Sequence, residues 1–244
     1  MDTGKRIAIG FSALLVIGIG VRVYLIHRER VQADRPAVVK DTRPQLTNDQ
    51  LAIRRRLEPV NMEGAKVLIG KPVWVAIGGQ LDYYPYSGHR ADYAHSAGVL
   101  LALDELEVKD LVTQVAPKSA ATRIPHGDKQ VLLVFTEGDS PKEYAVPVGY
   151  VDGPEYKFLL DDIFFYDDPH TIYANWPAKV WAAIEAHRAE PGMNELQTGL
   201  ALGQVMTTDS TDVGNRIIHY ANNGHPIDVT FVNDKATEVK PAAQ

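Results

Sequence analysis

The chain has 244 residues, 45% of them apolar and 23% charged, and carries a net charge of −6. That balance is ordinary for a protein with packed cores, and an acidic chain lacks the broad basic surface that neutralises phosphates, so nucleic-acid binding is not expected. It contains no cysteine, which excludes disulfides, thiolate metal sites, iron–sulfur clusters, Cys-attached haem and a lipidated cysteine.

Residues 7–26 read IAIGFSALLVIGIGVRVYLI. At a helical rise of about 1.5 Å per residue this stretch spans roughly 30 Å, the thickness of a bilayer's hydrocarbon core, and we expect a transmembrane helix. Arg22 lies near one end, where its stem follows the helix and its guanidinium reaches the headgroups; Tyr24 and Arg28 fit the same interfacial layer. A cleaved leader is the rival reading, because Val31-Gln32-Ala33 resembles a small-residue cleavage site. Against it, the apolar stretch exceeds the usual h-region of about 7–15 residues, and His27-Arg28-Glu29-Arg30 separates it from that site. Residues 1–30 are therefore read as an anchor in an inner (cytoplasmic) membrane. Arg28, Arg30 and Arg35 outnumber Lys5 and Arg6, a count that favours a cytoplasmic C-terminal part, although long domains translocate largely regardless of charge.

Residues 31–64 are charged, interrupted by Pro36, Pro44 and Pro59, and read as a tether. Within it, residues 47–57 suit a short helix that turns Leu51 and Leu57 toward a partner. Arg54–Arg56 are read as a solvated face, with phosphate or anionic lipid as the rival. From 65 to 167 the pattern becomes β: Lys71–Ile77, Val99–Leu103, Glu107–Val115, Gln130–Thr136, Glu143–Val148 and Tyr156–Phe165 are expected strands, separated by Gly- and Pro-containing turns. Six short strands with no long helix between them predict a small antiparallel β-barrel, SH3-like in kind.

The stretch 81–95 breaks that pattern and is expected as a loop. Tyr83, Tyr84, Tyr86 and Tyr93, with His89, supply rigid contact area with polar tips, the composition of protein interfaces. The bland alternative is a loop folded over a barrel edge. His89, Asp92 and His95 offer metal-ligating chemistry without a recognisable ligand motif, so no metal site is assigned. In the acidic run 161–170, Asp168 followed by Pro169 reads as a helix cap and first helical residue rather than as catalytic carboxylates. The following helices place Tyr173, Trp176, Val180, Trp181 and Ile184 on the buried side and end near His187 and Pro191-Gly192.

Asn194 is suited to cap the next helix, with Leu196 and Leu200 as its buried stripe and Gly203 as its terminator. Strands are expected over Asn215–Tyr220, Ile227–Val232 and Ala236–Val239. In the middle one Ile227, Val229 and Phe231 alternate with Asp228 and Thr230, leaving one face buried and one wet. On Gly192, Met193, Leu196, Leu202, Gly203, Tyr220, Phe231 and Asn233, residues 176–240 resemble the SmpA/OmlA (BamE-like) family. Two features depart from its pattern: Asp234 replaces a turn glycine, and the lipidated cysteine is absent.

The resemblance implies an ααβββ domain over 168–244, protein partners and a periplasmic location for the bulk, against the basic-residue count. No P-loop, Gly-x-Ser-x-Gly or His-Glu-x-x-His motif occurs, so neither catalytic residues nor a cofactor are expected. The chain reads as an α+β membrane-anchored scaffold or accessory subunit. Its expected partners are integral membrane subunits of an envelope assembly machine or of a respiratory or photosynthetic complex. Asp228 and Thr230 join the tyrosines as candidate contact residues. An extracytoplasmic ligand-binding or sensor module is the alternative, and a hydrolase a more distant one.

Overall fold

The computed structural model describes residues 48–242 except 77, 79–80, 119–123, 125–127 and 139, together with Arg22 and Arg28. The chain divides into two units, Met1–Gln45 and Leu46–Gln244. In the first, Arg22 and Arg28 are exposed helical positions. The rest of the expected span 7–26, with Tyr24 and the tether residues 31–47, lies outside the described residues. Among those described, no helix is long and apolar enough to cross a membrane.

The second unit is α+β, and both of its sheets are antiparallel. Nine strands form the first: β1 (Pro72–Val75), β2 (Asp82–Ser87), β3 (Arg90–Ala91), β4 (Gly98–Val99), β5 (Glu105–Val115), β6 (Lys129–Glu137), β7 (Tyr144–Asp152), β8 (Glu155–Phe158) and β9 (Phe164–Phe165). Their order is β3-β2-β7-β6-β5-β1-β9, with β4 paired to β2 and β8 to β7. The unbroken apolar run of β6 has a direct cause, because this central strand is covered on both faces. Val131, Leu133 and Phe135 enter one core with Val73, Leu106, Val108, Val146 and Val148. Leu132 and Val134 enter another with Tyr84, Tyr86 and Ala145.

Three expectations for this region need correction. Residues 82–87 are strand β2 and not loop, with Tyr84 and Tyr86 pointing to the same buried side. Of the expected strand 99–103 only Val99 is in a ladder, as the second residue of β4. The expected strand 156–165 is interrupted by a helical turn, Leu160–Ile163, whose first turn holds Asp161 and Asp162, where carboxylates favour the start of a helix.

In chain order the α-helices described in the second unit are α1 (Asn48–Leu51), α2 (Met62–Ala65), α3 (Leu160–Ile163), α4 (Pro169–Ile172), α5 (Ala178–Glu185) and α6 (Glu195–Leu202). The helix expected over 47–57 is confined to α1. Asp168 caps α4, its side chain accepting from the His170 N–H with Pro169 following, as the sequence implies. Asn194 and Gln197 form a reciprocal capping box on α6, and Gly203 closes it at φ 76°. A Cβ at Gly203 would lie 2.5 Å from the Gly78 carbonyl oxygen, so this end of α6 meets the first sheet's chain through bare backbone. The buried stripe of α6 is rotated from the expected one. Leu196 is 37% exposed, whereas Gln197, Thr198, Leu200 and Ala201 are buried. Gln197 must turn inward because its side chain returns to the Asn194 N–H.

The second sheet has four strands and not three: β10 (Val205–Thr208), β11 (Ile217–Tyr220), β12 (Ile227–Phe231) and β13 (Ala236–Pro241), in that spatial order. The β10–β11 ladder shifts register between Val205 and Thr207. Asn233 and Asp234, at φ 51° and 56°, form the two-residue hairpin turn before β13. Asp234 thus adopts the left-handed conformation that the missing glycine would have supplied, as Asp and Asn do more readily than other side chains.

Helices and second sheet share a core in which Tyr173, Trp176, Trp181, Ile184, Leu200, Tyr220, Val229 and Phe231 are joined by Ala76, Ala102 and Phe165 from the preceding half. Packing therefore runs across the sequence boundary placed between 167 and 168.

Candidate functional site

The alternation in β12 leaves one face of the second sheet uncovered. Antiparallel register lines up Thr207, His219, Asp228 and Lys240 across all four strands. Beside them runs a second row, Ile217, Thr230 and Glu238. His219 Nδ1 lies 2.6 Å from Asp228 Oδ1, and the Asp228 side chain is only 13% exposed. This pair is pre-ordered, so a partner that meets it need not freeze two free side chains. Asp228 and Thr230 are thus neighbours on one polar sheet face.

The tyrosines are distributed differently. Tyr84 and Tyr86 are buried, and Tyr84 lies against Tyr93 with ring centroids 4.9 Å apart. The Tyr93 hydroxyl donates to Gln130 Oε1 at 2.7 Å, and burial raises its pKa. Tyr83 packs edge-on against Phe135 and Tyr144, and burial, then the nearby Glu137 charge, raises its pKa. These rings serve the fold first. His89 is exposed at the β2–β3 turn, where Gly88 and His89 have φ of 55° and 63°. An open groove of about 590 Å³ remains beside Tyr86 and Tyr144, with Pro85, Pro141 and Lys142 in its walls. His95 Nδ1 is 2.8 Å from Asp92, and among the described residues no group of three His, Asp or Glu side chains is placed to hold a metal ion.

A polar cleft of about 300 Å³ at the start of α6 was not foreseen; it is lined by Asp49, Asn175, Trp176, Asn194 and Lys235, among others. Asp49 accepts from the Trp176 indole N–H at 2.6 Å and from the Asn194 side-chain amide. Residues 49–58 continue as a strap along the unit. Ala52 packs on the second core, and the Arg54 guanidinium lies 4.3 Å above the Phe165 ring. Arg55 donates to the Tyr166 carbonyl at 2.8 Å and pairs with Asp167. The Leu57 and Glu58 N–H groups donate to Asp161 at 2.7 and 2.9 Å. Arg54 and Arg55 are therefore engaged within the fold, and Arg56 pairs with Glu58. Asp49 gives no local signal in the sequence, since its partners lie 127 and 145 residues away.

Comparison with known protein families, curated proteins and solved structures finds no match.

Proposed function

We propose that the chain is a non-catalytic scaffold or accessory subunit, anchored in an inner membrane through residues 7–26, that binds and stabilises a larger membrane protein complex from the periplasmic side. The observation that carries this reading is the uncovered face of the second sheet. It is a largely polar sheet face built on a packed core, whose Thr207–His219–Asp228–Lys240 row suits contact with another protein more than enclosure of a small molecule. The capped helix α6 followed by an antiparallel meander with an Asn233-Asp234 turn supports the BamE-like reading of residues 176–240. The continuous core beneath β1, β5, β6 and β7 supports an SH3-like reading of the first sheet.

Purification of the full chain in mild detergent, beside a Thr230→Arg variant, tests the proposal. Wild type should retain integral membrane subunits at fixed stoichiometry, and the variant should lose them while melting at an unchanged temperature. Recovery of wild type alone would overturn it. Topology is tested separately: a reporter active only in the cytoplasm, fused after Gln244, should stay silent.

The groove beside Tyr86 and Tyr144 favours a second reading, an extracytoplasmic module that binds a peptide or glycan through aromatic and proline walls. Substitution of Tyr144 by Ala would then abolish binding without affecting complex assembly.

A further inference from the structure

We propose that the cleft at the start of α6 is a receptor for an acidic side chain of a partner polypeptide, and that Asp49 occupies it in cis until such a partner lifts the strap. This goes beyond the scaffold reading and does not depend on the membrane anchor or on the exposed sheet face.

The donor set selects a carboxylate. Trp176 is 6% exposed, and its indole nitrogen, which can only donate, is directed at Asp49. Asn194 has its orientation fixed by its own capping role. Its Oδ1 accepts from the Gln197 N–H at 2.9 Å, so its amide nitrogen must be the group presented to the cleft. Two fixed donors therefore converge on one carboxylate. A carboxamide in its place would satisfy one of them and set its own N–H₂ against the other. Lys235 is exposed in the lining and has no ion pair among the described residues, adding positive charge. The carboxylate of Asp234 also lines the cleft, but its Oδ1 is held by the Glu195 N–H. The Glu195 and Gln197 N–H groups in the first turn of α6 are thus taken up by Asp234 and Asn194, and the donors seen on the Asp49 carboxylate are side chains.

The cis ligand is held lightly for its length. Leu51 and Ile53, the strap's large apolar side chains next to Asp49, are 58% and 90% exposed. Near the cleft, attachment rests on Asp49, on Ala52 and on the Arg54–Phe165 contact, with little apolar burial to oppose release. The cleft also keeps open space beyond Asp49, with the Asn175 side chain in its wall. A permanent staple has no need of that space, whereas an incoming segment does.

The test uses the full-length chain labelled with ¹⁵N, as wild type and as Asp49→Ala, with the Trp176 indole resonance assigned through Trp176→Phe. The probe is the acetylated, amidated hexapeptide of residues 46–51, and its control carries Asn in place of Asp at position 49. In the Asp49→Ala chain the acidic peptide should shift the Trp176 indole signal saturably, and the Asn peptide should not. Wild type should require about tenfold more peptide or more, because an attached ligand competes at an effective concentration in the millimolar range. Equal binding of the two peptides, no shift in a folded Asp49→Ala chain, or equal affinity of wild type and variant would each overturn the proposal. An Asp49→Ala chain that circular dichroism finds unfolded would identify Asp49 as a structural staple, and the proposal would fall.

Discussion

β6 and β12 are both inner strands of antiparallel sheets, yet they use their two faces in opposite ways. β6 sends Leu133 into one core and Leu132 into another, so all but its end residues are buried. β12 sends Val229 and Phe231 into a core and leaves Asp228 and Thr230 on a solvated face. The first sheet has thus spent both middle faces on stability, and the second keeps one free for contact. A continuous apolar run and a strict alternation record that difference in the sequence itself.

Cutting the chain between its halves should have the largest effect. A fragment of residues 169–244 lacks Ala76, Ala102 and Phe165, which belong to its core, and is small enough for a single core to be marginal. It should be unfolded by circular dichroism, while the full unit melts in one transition; a folded fragment would show that the shared core is dispensable. Alanine substitutions sharpen the contrast. Leu132→Ala and Leu133→Ala should each cost about 2–5 kcal/mol in urea melts, one for each face of β6. In the second half Leu200→Ala should cost about 2–5 kcal/mol and Phe231→Ala about 3–5 kcal/mol, against about 0.5 kcal/mol or less for Thr230→Ala. Leu196→Ala should fall well below Leu200→Ala, since its side chain is partly in solvent.

A smaller effect concerns the strap. Burial pushes the Asp161 carboxyl upward, but the N–H groups of Leu57 and Glu58, together with Tyr166 and the Arg56 charge, outweigh it and hold the pKa below its ordinary value of 3.8. A carboxyl whose folded pKa is lowered adds stability above its unfolded pKa and loses it as pH falls through the folded value. Asp161→Asn should therefore lower Tm at neutral pH, and the gap from wild type should close in acid below the ordinary carboxylate range. A gap that persists there would assign the loss to something other than the charge. A small change in the opposite direction is expected at Thr198, whose buried hydroxyl has no hydrogen-bond partner among the described residues. Thr198→Val should be neutral or stabilising by about 1 kcal/mol, because it removes a desolvated polar group at nearly constant shape.

Local signals were legible wherever the chain answers itself within a few residues. The Asp168-Pro169 cap, the Asn194 cap, the Gly203 terminator and the β11–β13 strands all follow from neighbours close in sequence. Tyr83–Tyr86 reads as a loop because it holds a proline and three rings, whereas Pro85 is tolerated within β2 and Tyr84 and Tyr86 enter a core. Leu196 misled because apolar character outweighed the capping geometry that turns Gln197 inward. Of the candidate contact residues, the polar face of β12 was legible from period two. The Asp49 cleft was not, because Trp176 and Asn194 reach it only through tertiary packing.

The register shift between Val205 and Thr207 bears on how the second sheet treats other copies of itself. β10 and β13 are its outer strands, and an outer strand offers unpaired backbone groups to any extended chain. The irregularity in β10 removes the even spacing that an added strand would need. β13 carries Glu238 and Lys240 and ends on Pro241, which has no N–H to give. Lateral growth into a larger sheet, and aggregation by that route, is opposed at both margins, so the surface remaining for company is the broad face and not the rim.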